Sequence, residues 1–102
     1  MDYLRVLSGK EKPLPIYTGV IACLENQVVF PDLLEPIYRE AMNLDDETLD
    51  RFRFSLMRLQ LYADIHRNED LERAMQIKYV AQVLEKVIFG SIVLEQAEPS
   101  AD

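Results

Sequence analysis

The chain has no tryptophan, one cysteine, one histidine and only three glycines in 102 residues, and each scarcity closes off a class of function. A lone cysteine, Cys23, cannot form an internal disulfide, so a disulfide-framed secreted scaffold is excluded. Three glycines, with no GxGxxG, P-loop or GxSxG spacing among them, leave little to cradle a phosphate or strain a nucleophile into place. One histidine rules out HExxH and any multi-histidine zinc pattern. No run approaches the roughly 18 apolar residues of a membrane span. The opening MDYLRVLSGKEK also lacks the apolar stretch of a signal peptide. A cytoplasmic protein needing no cofactor and no membrane is the expectation.

Positive charge is short as well. Eleven Lys and Arg against 18 Asp and Glu give a formal charge of -7, which repels phosphates over most of the surface and argues against direct nucleic acid binding. Hydrophobic content of 49% over this length supports one core without staples. The expected organisation is a single helical domain over residues 1–95 followed by an acidic, flexible tail over 96–102.

What is present is helical periodicity. Asp45 is placed to cap a helix, Asp46 and Glu47 sit where its dipole favours negative charge, and Leu44 and Leu49 have the spacing of a hydrophobic staple. His66 and Arg67 supply the matching positive end, which predicts a helix over about 46–67. RFRFSL, residues 51–56, alternates like a strand, but Met57 breaks the alternation while helical spacing runs on to Ile65. Asn68 offers a second cap with Glu69, Asp70 and Glu72 behind it, predicting a second helix over about 69–94. So short a connection makes the two helices antiparallel neighbours. Upstream, Pro36 suits the first turn of a short helix that Asn43 ends. The segment 16–30 supports either a helix, with Ile16, Val20, Cys23, Leu24 and Val28 on one face, or a short β-hairpin rich in β-branched residues. The fold class is mainly α: a small helical bundle built on the antiparallel pair.

On a wheel at 100° per residue, the first long helix carries two apolar stripes. Leu49, Phe52, Leu56, Leu59 and Ala63 form one, and Phe54, Met57, Leu61 and Ile65 lie nearly opposite. Thin polar seams separate them, one of which holds Arg51, Ser55 and Arg58. The second helix has an excess of its own near its end, where KVIFGSIVLEQ puts Phe89 and Val93 on the arc that Lys78, Gln82, Glu85 and Lys86 occupy earlier. Each buried Val, Leu, Ile or Phe is worth roughly 1.5 to 3 kcal/mol, so that end must be covered. The cover is the N-terminal segment, a strand pairing of SIVL with YLRVL, or another chain.

The candidate partner interface is therefore Phe54, Leu61 and Ile65, with Arg51 and Arg58 orienting the partner, and Ile88, Phe89, Ile92 and Val93 from the second helix. Arg51 to Arg67 holds four arginines against Asp64, a local +3 in a chain of -7, and Arg is a common interface residue. This predicts a non-catalytic protein-binding, adaptor or regulatory subunit that self-associates as a dimer or higher homo-oligomer and can take a second protein. One alternative is an acidic inhibitor that mimics nucleic acid phosphates and docks on a basic partner. Another is a small enzyme or metal-binding domain around His66 with Asp64, Glu69 and Asp70, although helix dipoles account for those charges without chemistry. Cys23, set among Ile21, Ala22 and Leu24, reads as a small buried hydrophobe rather than a nucleophile.

Overall fold

The capping residues define the longest helices. In the computed structural model, which describes residues 2–26 and 31–90, the Asp45 carboxylate accepts the Thr48 N–H at 2.9 Å and opens α4, Asp46–Ile65. Asp70, two residues beyond the expected Asn68, accepts the Arg73 N–H at 3.1 Å and opens α5, Leu71–Leu84. His66 to Glu69 form the tight turn that makes the two antiparallel. Before them come α1 (Tyr3–Ser8), α2 (Tyr17–Asn26) and α3 (Pro31–Met42). The fold is a small all-α bundle, and no strand occurs among the described residues.

Segment 16–30 resolves as the helix of its two readings over Tyr17–Asn26, burying Tyr17, Val20, Cys23 and Leu24 on one face. Its last residues, 27–30, lie outside the described ones. Strand pairing by YLRVL is excluded, because those residues are helical and Asp2 caps them. Pro36 does not start α3. The helix begins at Pro31 and runs through Pro36, whose missing N–H leaves the Asp32 carbonyl in an exposed first turn. It buries Ile37 and Ala41 on one side.

Helices α1 and α2 lie against the inner face of the α4/α5 hairpin, α1 on α4 and α2 on α5, with α3 on α2. The core forms where they meet: Leu7, Tyr17, Phe52, Leu56, Leu59, Val80 and Leu84 are each at most 2% exposed. Gly19 allows α2 and α3 to approach, since a Cβ there would sit 2.8 Å from Ile37 Cγ1. Tyr17 buries its hydroxyl against the Ser55 Oγ, which in turn donates to the Arg51 carbonyl at 2.9 Å. The polar groups of that contact are thereby paired inside the core.

The end of α5 departs from a regular helix. Glu85–Phe89 form a π turn, which holds more residues per turn, so each residue rotates the chain by less than in an α-helix. Over five residues the lag carries Phe89 from the outer arc of an ideal wheel round to the core. It packs 5.7 Å from Phe52 between ring centroids and is 6% exposed, with Ile88 beside it at 0%. The expected outward position of Phe89 rested on an unbroken 3.6-residue period, which the π turn removes; Ile88, expected at the partner interface, shares the stripe of Ala74, Ile77, Ala81 and Leu84 and is buried with them. Ile92 and Val93, and with them the acidic tail, lie outside the described residues.

Candidate functional site

Helix α4 has two apolar stripes, and the core takes only one. Phe52, Leu56, Leu59 and Ala63 are buried, whereas Phe54, Met57, Leu61 and Ile65 are 48 to 66% exposed on the opposite side. The physical reason is geometric: α1 and α5 pack on the inner side of α4, and a helix of 10 to 12 Å diameter cannot turn both sides toward one core. Helix α5 adds a second ridge of Leu71, Met75 and Tyr79, at 52 to 62% exposure. These three went unnoticed in the sequence, although the signal was there: they recur at intervals of four residues, the spacing of one helix face. They sit at the end of the hairpin nearest the turn, alongside Leu61 and Ile65.

Between the two ridges runs a shallow depression with a polar floor. Asp64 borders both the hollow beneath Leu61 and the one beneath Met75, so the two ridges flank one continuous surface. Lys78 Nζ donates to Asp64 Oδ1 at 2.9 Å across the helix pair. Further along, Gln60 donates to Glu85 at 2.9 Å, and Arg53 approaches the same carboxylate at 3.9 Å while lying over the Phe89 ring. Partly exposed pairs of this kind contribute about 1 kcal/mol or less. Their larger consequence is to neutralise the seam. Arg53, Arg67 and Lys78 balance Asp64, Glu72 and Glu85 along it, which leaves the face within one unit of zero.

Arg51 and Arg58, the expected orienting pair, face the other way. Arg51 donates to Glu11 at 2.7 Å and to the Lys12 carbonyl at 2.9 Å, and Arg58 donates to the Leu7 carbonyl at 2.7 Å. Together with Ser55 they fasten the segment between α1 and α2 onto α4. Gly9 closes α1 at a φ of 62°, where a side chain would be strained and would press on the Arg58 guanidinium. Among the expected interface residues, then, Phe54, Leu61 and Ile65 stand on the surface, Arg51 and Arg58 are engaged within the chain, and Ile88 and Phe89 belong to the core.

The turn between α4 and α5 gathers the groups with the most chemistry. His66 caps α4, stacks 4.3 Å from Tyr62 between ring centroids, and has Nδ1 2.9 Å from the Glu69 carboxylate. Asp70 is occupied in capping. Among the described residues no group of three or more His, Cys, Asp or Glu is arranged to hold a metal ion. Burial pushes the Cys23 thiol above its ordinary value and keeps it in the protonated, unreactive form. Burial likewise raises the Tyr3 phenol, against the pull of the Arg73 cation that lies over its ring. Among the described residues no helix is long and apolar enough to cross a membrane. The chain matches no protein-family model, and no curated protein or solved structure is significantly similar to it.

Proposed function

We propose that this chain is a non-catalytic protein-binding domain, an adaptor or regulatory subunit, whose contact surface is the outer face of α4 and α5. One observation carries the reading: seven large apolar side chains on two adjoining helices stay 48 to 66% exposed although the chain has filled its core without them. Scattered exposed hydrophobes need no explanation, but a continuous patch of this size marks an interaction surface. Burial of such side chains contributes roughly 1.5 to 3 kcal/mol each when complete, which is the driving force a partner would use. With Arg51 and Arg58 committed inside the chain, the contact is apolar and its affinity should depend little on salt.

Site-specific photo-crosslinking in the native cellular setting tests this. A photoreactive residue at position 61 or 75 should give protein adducts, and one at Arg39, on α3 and paired with Glu35, should not. Ridge positions that yield no more adducts than the control would refute the reading.

A further inference from the structure

We propose that the occupant of this face is a second copy of the chain, docked hairpin on hairpin about a two-fold axis. The proposal rests on the reading of the face as a protein contact and names the partner. Area is the first support. A large side chain has roughly 200 Å² of surface, so the exposed portions of the two ridges present about 800 Å², which is what each partner contributes to a standard-size complex. The largest apolar patch on an ordinary monomer is about 300 to 600 Å².

Charge is the second support. At -7, two copies repel each other over most of their surfaces. The hairpin's outer face, within one unit of neutral, is where they can meet without that penalty. A basic partner drawn by the net charge would settle on the acidic remainder instead.

Shape is the third. Phe54, Met57, Leu61 and Ile65 follow one another at intervals of three, four and four residues, the spacing of knobs along a helix–helix seam. The α4 ridge of one copy would seat in the depression between the two ridges of the other, and the two-fold returns the identical contact. In an antiparallel arrangement Phe54 of one copy lies toward Ile65 of the other, with Met57 and Leu61 about the axis. The assembly is a four-helix layer made of two hairpins, with α1, α2 and α3 on its outer sides.

The test is the mass of the purified full chain by size-exclusion chromatography with light scattering, from about 1 µM to about 200 µM. The expected result is twice 11.9 kDa at the high end, falling toward 11.9 kDa on dilution. Leu61→Glu on one ridge and Met75→Glu on the other should stay helical by circular dichroism and weaken association by about 100-fold or more. They lie on different helices at exposed positions, so one folded variant is enough to decide. A wild type at the single-chain mass throughout overturns the proposal, as does a dimer that survives both substitutions. Photo-adducts to other proteins from position 61, together with a monomeric pure chain, would remove the second copy and leave the protein-contact reading standing. No adducts and no dimer would remove both.

Discussion

Phe89→Ala offers the sharpest check on the tertiary structure, because two descriptions of the same residue predict different outcomes. On a regular helix Phe89 stands on the outer arc, and truncating an exposed side chain changes stability by about 0.5 kcal/mol or less. With the π turn, Phe89 is 6% exposed against Phe52, and Arg53 lies 5.6 Å from its ring centroid. A Phe side chain buries about 150 to 250 Å², which at about 25 cal/mol per Å² corresponds to roughly 4 to 6 kcal/mol before the part that alanine keeps. The expected loss is about 3 to 5 kcal/mol, in line with other Phe truncations in cores. That is a large share of the 5 to 15 kcal/mol that holds a domain together. Urea unfolding followed by circular dichroism measures it, at a concentration low enough that association does not contribute, with Lys86→Ala as the exposed neighbour expected to be nearly neutral. A Phe89→Ala loss below about 1 kcal/mol, at unchanged denaturant slope, would refute the inward placement and the π turn with it.

Three further outcomes follow from the same structure. Gly19→Ala should destabilise despite the helix-propensity gain of about 1 kcal/mol, since the added Cβ meets Ile37 Cγ1 at 2.8 Å and overpacking costs about 1 to 3 kcal/mol. The cost should shrink in an Ile37→Ala background, and a thermal-melt double-mutant cycle showing no coupling would count against the close approach of α2 and α3. Asp45 has its carboxyl held below the usual range by hydrogen bonds from Thr48, so its charged form stabilises the fold above the ordinary carboxylate value of about 3.9, and that contribution is lost as pH falls through the lowered value. The melting difference between wild type and Asp45→Asn should therefore be present at pH 7 and shrink as pH falls below the ordinary carboxylate range, and a pH-independent difference would contradict it. Cys23, buried and with its thiol pushed up, should react with a thiol reagent at pH 8 only at the rate of unfolding, and become fast in denaturing urea. Prompt labelling of the folded chain would show that α2 is not packed as described.

The boundary between what the residues determined alone and what the assembled chain decided follows the range of the interactions. Caps and periodicity act within a turn or two of helix. Asp45, the double stripe of α4 and the short turn to α5 were therefore legible, and they specify a mainly helical protein with a helix too apolar for one core. The same local reasoning erred where a distant contact overrode it. Nothing near Phe89 in sequence announces a π turn, and with that turn Phe89 joins Ile88 in the core and meets Phe52, 37 residues earlier. Arg51 and Arg58 read as outward-facing because their partners, Glu11, Lys12 and Leu7, lie about 40 residues or more away along the chain. The α5 ridge shows the converse. Leu71, Met75 and Tyr79 were regular enough to see, but a wheel only says that they share a face. That this face adjoins Leu61 and Ile65 over a neutralised Asp64–Lys78 seam depends on how α4 and α5 register against each other, and that register is set by the buried side of the pair. The sequence alone determined that one helix had apolar surface to spare. Packing decided which stripe the core would take, and so which one was left on the surface.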